Sequence, residues 1–189
     1  MSNITNLLDT SKTDLKILKT AGKVADSLNY KAYLIGGYVR DKLININKEC
    51  DIQDIDITVD GDYLKYAKLL AHTLSIKDIV PFEQFKTVRL VDPEFEIEVA
   101  QTRKESYYKE TRKPQVESAT LEDDLFRRDF TINAIGMALN SKNFGDIVDP
   151  LGGIKDLNKG IIITPLDPDE TFSDDPLRML RAIRFAAKL

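Results

Sequence analysis

LIGGYVRD at residues 34–41, followed after a loop by DIDITV at residues 54–59, decides how this chain folds. In the second segment Ile55, Ile57 and Val59 alternate with Asp54, Asp56 and Thr58, a period of two that predicts a strand with one buried face. Both aspartates then leave the same face, about 6.5–7 Å apart along the strand. In the first segment a short apolar run from Ala32 to Ile35 predicts a strand that ends at Gly36-Gly37 and turns into a short helix, Tyr38 to Leu43. Glycines at such a turn let backbone N–H groups approach an anion with no Cβ in the way. Arg40, one helical turn on, is placed to pair with phosphate. Each segment taken alone also has a plainer reading, acids on an exposed strand face and a Gly-Gly structural turn.

Working outward, Leu15, Leu18, Ala25 and Leu28 recur at near-helical spacing and predict an amphipathic first helix. Gly61-Asp62 starts another, with Leu64, Ala67, Leu70 or Ala71, and Leu74 inward. Two short strands are predicted near Val88 to Val91 and Phe95 to Val99. On the second, Glu96 and Glu98 share a face, so a third carboxylate can stand beside Asp54 and Asp56: Glu98, with Glu96 as the same-face alternative. Two cations about 3.5–4 Å apart can be bridged by such carboxylates, the arrangement that clamps attacking and leaving oxygens in phosphoryl transfer. A charged, irregular stretch is predicted from Arg103 to Asp124, a helix around Thr131 to Leu139, a turn-rich segment DPLGGIKDL, and a β-branched run Ile161 to Thr164. The last helix begins at Asp175-Pro176, with Asp175 as N-cap and proline at the first helical position. Its apolar stripe, Leu177, Leu180, Ile183 and Ala187, is predicted to face inward. That helix has no Gly, Asn or Pro stop signal, which reads as a longer protein continuing past it.

Composition limits the chemistry. The 189 residues are 42% hydrophobic, enough for one domain with a core and the start of a second. No run approaches a membrane span, and the polar start has neither part of a signal peptide, so the cytoplasm is the expected location. One cysteine, Cys50, and one histidine, His72, leave no nitrogen–sulfur set for zinc, and any metal must be held by carboxylates. Net charge is −4, yet the cations are clustered: Arg103, Lys104, Lys109, Arg112 and Lys113; Arg127 and Arg128; Arg178, Arg181, Arg184 and Lys188. Each cluster is either a solvated surface or a contact for anionic substrate.

Five motifs in order resemble the tRNA CCA-adding and poly(A) polymerase family, the bacterial-type branch of the polymerase-β nucleotidyltransferase superfamily. They are GGYVRDKL (36–43) with DIDIT (54–58), EVAQTRKESY (98–107), TLEDDLFRRDFTINA (120–134), DPLGGIKDL (149–157) and FSDDPLRMLRAIRFA (172–186). The resemblance covers about Leu34 to Leu189. It implies an α/β head with a mixed, roughly five-stranded sheet, helices mainly on one face and an acidic cleft, over residues 1–145, and the start of a helical neck over 146–189.

The resemblance further implies metal coordination by Asp54 and Asp56, a third acidic role for Glu98, and two bound Mg²⁺ ions. Triphosphate contacts fall to Gly36, Gly37 and Arg40. Arg128 and Asp129 meet the incoming nucleotide, Asp129 at the ribose, with Asn133 supporting that segment; a surface ion-pair cluster is the alternative. Arg178, Arg181 and Arg184 face the cleft or tie head to neck. The implied reaction adds CMP or AMP from CTP or ATP to a tRNA 3′ end. A poly(A) polymerase, a small-molecule nucleotidyltransferase and a non-enzymatic RNA-binding module are the rival readings. The base-selecting segment and RNA-binding domains are expected beyond this chain, leaving C, A or CCA addition and oligomeric state open. The chain departs from its relatives at Ile161 to Thr164, where an arginine is common, and at PLDP (165–168) in place of a Gly-containing turn.

Overall fold

The alternation around Ile55 does fold as a strand, and it lies at the centre of a seven-stranded sheet. The computed structural model describes residues 12–44, 53–108, 111–118 and 120–189; side chains within 103–119 lie outside the description, as does Cys50. Strands β1 (Lys31–Ile35), β2 (Gln53–Asp60), β3 (Asp78–Phe82), β4 (Thr87–Val91), β5 (Phe95–Gln101), β8 (Gly136–Ala138) and β9 (Ile147–Val148) order as β3-β4-β5-β2-β1-β8-β9. Strands β6 (Arg103–Tyr108) and β7 (Thr111–Ser118) form a separate antiparallel pair. Among the described residues β2 and β5 run parallel and the other strand pairs are antiparallel.

Helices α1 (Lys12–Leu28) and α3 (Tyr63–Leu74) cover one face of the sheet, and the short α2 (Gly37–Leu43) follows β1 where the sequence predicts it. Leu18, Ala21 and Ala25 of α1 and Tyr66, Ala67 and Leu70 of α3 bury with Leu34, Ile57, Val59, Leu90, Ile97 and Val99 into a single core. Full burial of an aliphatic side chain contributes about 1.5–3 kcal/mol. Asp62 starts α3 as the sequence predicts, its carboxylate accepting from the backbone N–H groups of Leu64 and Lys65. On the other face Ile35, Leu125 and Ala134 form a small cluster under α4 (Leu121–Phe126), covering the β1 end of the sheet. The β2–β5–β4 half of that face carries polar side chains instead.

Several expectations need correction. The sheet has seven strands rather than about five, because β3, β8 and β9 add at the edges. Strand β3 contains Pro81, tolerable because an edge strand needs fewer ladder donors. Within the stretch 103–124 the described residues form the paired strands β6 and β7 and the start of a short helix, not irregular chain. The expected helix over 131–139 is a 3₁₀ turn, Thr131–Asn133, leading into β8: nine consecutive buried residues suit a strand between two neighbours, not an amphipathic helix. Residues 161–164 are not in a ladder, although Ile163 accepts a bond from the N–H of Thr131.

The DPLGGIKDL motif builds α5 (Gly153–Lys159). The carboxylate of Asp149 accepts from the N–H groups of Gly153 and Ile154, and Asp156 accepts from the hydroxyl of Thr131. A Cβ on Gly153 would lie 2.1 Å from the carbonyl oxygen of Thr131, so glycine is required for α5 to seat there. Two further helices follow, α6 (Pro168–Asp174) and α7 (Leu177–Lys188). The sequence expectation for α7 is reversed. Leu177, Leu180 and Ile183 are about two-thirds exposed, while Phe185 is buried against Phe130 at 5.9 Å, edge to face. The arginines, not the apolar stripe, turn toward the rest of the chain. Among the described residues no helix is long and apolar enough to cross a membrane.

Candidate active site

Parallel pairing of β2 with β5 sets Asp54 beside Glu96 and Asp56 beside Glu98, all on the face left uncovered by α1 and α3. Asp54, Asp56, Glu96, Glu98 and Arg89 line an open cleft of about 340 Å³. Arg89, on β4, is the register partner of Glu98 and pairs with both glutamates, at 2.5 Å to Glu96 and 3.5 Å to Glu98. No signal but its place in the strand alternation marked it in the sequence.

Asp56 opens onto the cleft, yet protein surrounds its carboxyl on the remaining sides. This desolvation raises its pKa to about 6; Arg128 and Arg89 oppose the rise, while Glu98 and Asp54 add to it. A carboxyl raised mainly by desolvation, with two further acids adding to the rise, gains from any cation that enters the cleft. Among the described residues no three carboxylate, histidine or cysteine side chains converge by themselves into a metal cage. The donors that face the cleft are hard oxygens, which suits Mg²⁺, an ion usually held by one or two carboxylates together with substrate phosphates.

Gly36 ends β1 at φ 85°, a conformation glycine adopts without strain. A Cβ there would come within 3.3 Å of Nη1 of Arg128 and 3.8 Å of Oδ2 of Asp56. The Gly36-Gly37 turn, Arg128 and the acidic cleft are therefore neighbours. Arg128 is held by Asp124, which is fully buried and also pairs with Arg127. Burial pushes Asp124 upward, but Arg128 and Arg127 outweigh it and hold the carboxyl below its ordinary range. Sequence reasoning assigned Asp124 no role, although the capping box of Thr120 and Asp123 locates the helix that carries it.

Arg40, Asn133, Asp129 and Arg181 are brought together elsewhere. Nη1 of Arg40 donates to Oδ1 of Asn133 at 2.5 Å, and its other donors meet Asp41. The amide of Asn133 donates to Oδ1 of Asp129, whose Oδ2 accepts from Nε of Arg181 at 2.6 Å. Asp129 also accepts from the N–H of Phe130. Arg40 at 3%, Asn133 at 5% and Asp129 at 7% exposure put this chain of bonds in the interior up to its last member, Arg181, whose side chain is 45% exposed. It ends on α7, where Phe185 has the guanidinium groups of Arg40, Arg181 and Arg184 within 5.0–5.5 Å of its ring. Arg178 donates to the carbonyl of Arg127. Residues expected at nucleotide are thus divided between the cleft and the seat of α7.

The family model described as the poly A polymerase head domain matches residues 32–163. The A-adding tRNA nucleotidyltransferase of Aquifex aeolicus is 41% identical over 159 residues, covering 84% of this chain and 18% of the relative. A solved structure of a CCA-adding enzyme, apo form II, matches with a TM-score of 0.85 at 37% identity, covering 97% of this chain and 42% of that one. The Thermotoga maritima CCA-adding enzyme complexed with tRNA-CCA matches with a TM-score of 0.80 at 35% identity, covering 97% and 40%. The chain therefore spans less than half the length of each of these proteins. On the matched profile and the shared fold, the chain belongs to the poly(A) polymerase head-domain family.

Proposed function

We propose that this chain is the nucleotidyl-transferring head of an enzyme that adds CMP or AMP, from CTP or ATP, to tRNA 3′ ends. The observation that carries the reading is the register of Asp54 and Asp56 with Glu96 and Glu98 in a cleft bordered by the Gly36 turn and Arg128. Residues 1–145 are the proposed head and 146–189 the start of a helical neck, with Ile147–Val148 still paired to the head sheet.

Asp54 and Asp56, with Glu98 as the third acid, would hold Mg²⁺. The bound ions supply two effects, a lowered pKa for the attacking RNA 3′-hydroxyl and neutralisation of charge on the triphosphate and its leaving pyrophosphate. Gly36, Gly37 and Arg128 receive the triphosphate beside them, Gly36 because its φ of 85° is one that other residues adopt only with strain and because it leaves the backbone N–H groups of the turn open to an anion. Arg40, Asn133, Asp129, Arg181 and Arg178 act from beneath, fixing the Gly36 turn and the 127–133 segment relative to α7. Positioning of this kind accounts for a large part of rate in displacement at phosphorus.

The test is incorporation of labelled CTP and ATP into a tRNA lacking its 3′ end, with and without Mg²⁺. No incorporation by the full-length protein would sink the reading. Because the matched profile is described for poly(A) polymerase, a second substrate arm uses an oligoadenylate primer. Processive extension of that primer with ATP alone, and none of tRNA, would assign the poly(A) reaction instead.

A further inference from the structure

The cleft holds four carboxylates where two or three suffice, and one cation lies among them. Two rows of side chains cross the open face: Asp78, Val91, Glu96 and Asp54 in one, Val80, Arg89, Glu98 and Asp56 in the next. Arg89 belongs to the second row but reaches diagonally to the first: its Nε stands 2.5 Å from Oε1 of Glu96, an ion pair without hydrogen-bond alignment, while its Nη2 donates to Oε2 of Glu98 at the longer distance of 3.5 Å. Its guanidinium also lies 5.6 Å from the centroid of the Phe82 ring on β3, a cation–π contact that limits where it can swing. Glu96 is therefore the closer charge partner of Arg89, and Glu98 is held by one long hydrogen bond.

We infer that Arg89 decides which of the two glutamates on β5 serves the metal cleft: it sequesters Glu96 and leaves Glu98 to complete the set with Asp54 and Asp56. This rests on the proposed cation-binding cleft and adds a positioning residue to it. The planar fork of an arginine is what the task requires, since it can address two carboxylates from fixed directions, whereas a lysine offers one compact charge. Four converging carboxylates with no cation would repel one another, and Glu96 and Glu98 would then be equivalent candidates for the ion.

The experiment is titration of the nucleotide-free protein with Mn²⁺, followed by the electron paramagnetic resonance signal of the free ion, in a small set of variants. In the native background Glu98→Gln weakens Mn²⁺ binding by about fivefold, the scale of one lost charge at a partly exposed site. In an Arg89→Ala background the same substitution costs less than about twofold, because released Glu96 takes the vacated place, a coupling of the kind expected only between contacting groups. Adding Glu96→Gln to Arg89→Ala/Glu98→Gln restores the full loss. Arg89→Lys, which keeps the charge without the fork, behaves as Arg89→Ala does in this cycle. An undiminished loss from Glu98→Gln in both Arg89 backgrounds would overturn the inference, because Arg89 would then act only as a distant charge. Asp56→Asn separates the two levels. If it weakens Mn²⁺ binding while the Arg89 cycle is additive, only the Arg89 role fails; if it changes nothing, the cation cleft and the Arg89 role fail together. Arg89 is nearly half exposed, and thermal melts of each variant confirm that folded protein is being titrated.

Discussion

Two groups of acids lie close together in this molecule and are treated in opposite ways. In the cleft, Asp54, Asp56, Glu96 and Glu98 face an opening with Arg89 and Arg128 as the nearby cations, and the carboxyl of Asp56 is pushed up to about 6. At the seat of α7, both carboxylate oxygens of Asp129 are satisfied by Arg181, Asn133 and a backbone N–H. The first group carries charge the fold does not need; the second holds the fold with charge. Substitutions in the cleft should therefore cost chemistry and spare stability, and those at the α7 seat should cost stability first.

The largest effect belongs to the cleft. Asp54→Ala or Asp56→Ala in the full-length protein lowers CTP and ATP incorporation by on the order of a thousandfold or more, since metal-assisted charge stabilisation is worth several kcal/mol. The melting temperature of the metal-free variants holds or rises slightly, because a like charge has been removed. Measurable incorporation near the native rate, or a marked fall in melting temperature, would erase the proposed distinction.

At the α7 seat the sign reverses. Asp129→Ala leaves the buried amide of Asn133 and the N–H of Phe130 without their acceptor, while Arg181, 45% exposed, turns to water; it costs about 2–3 kcal/mol, the scale for stranding buried donors. Phe185→Ala removes the ring packed on Phe130 and costs about as much. Denaturant unfolding at neutral pH measures both. A loss under about 0.5 kcal/mol for Asp129→Ala would mean that the chain of bonds is ornamental, since stranding even one buried donor costs about 1–3 kcal/mol.

What the sequence made legible follows the same division. Period-two alternation identified β2, β4 and β5, and with them Asp54, Asp56, Glu96 and Glu98, because a strand with one wet face shows its orientation in its own residues. Arg40, Asp129 and Asn133 were recognisable as a set through motif resemblance, but their direction was not: whether an arginine points at solvent or at an asparagine 93 positions away is decided by tertiary packing. The run 131–139 misled for a related reason, since residues buried on all sides carry no period. α7 misled most. Its apolar and basic stripes are both regular, and local sequence cannot say which stripe meets the chain; Phe185 and the arginines do.

The pH dependence sharpens the contrast with smaller effects. The folded-state pKa of Asp56 is raised above its ordinary value of 3.8, so its carboxyl favours folding most when protonated, and that contribution is lost as pH rises through about 6. The melting temperature of metal-free Asp56→Asn relative to the native protein should therefore increase between pH 4.5 and 7.5. Asp124 has the opposite sign. Its lowered pKa gives stability that is present above the ordinary carboxylate range and lost only as pH falls below it, so Asp124→Asn is less stable than the native protein at pH 7. Parallel pH profiles for the two variants would contradict the assignment of opposite roles.

The smallest effect concerns the two faces of α7. Leu180 is 64% exposed and Ile183 68%, so in this chain neither loses apolar contact on folding to the extent that Phe185 does at 4%. Replacing both with serine should change the unfolding free energy by no more than about 0.5 kcal/mol, the range for surface substitutions away from caps and ion pairs. Serine has a slightly lower helix propensity than leucine, which accounts for a few tenths of that. The double variant also keeps Arg178 and Arg181 in place, so the bonds to the carbonyl of Arg127 and to Asp129 should persist. Chemical unfolding of the 189-residue chain, run beside Phe185→Ala, gives the comparison directly. If Leu180→Ser/Ile183→Ser destabilises this chain as much as Phe185→Ala, the orientation of α7 described above is wrong, and its apolar stripe faces the head after all.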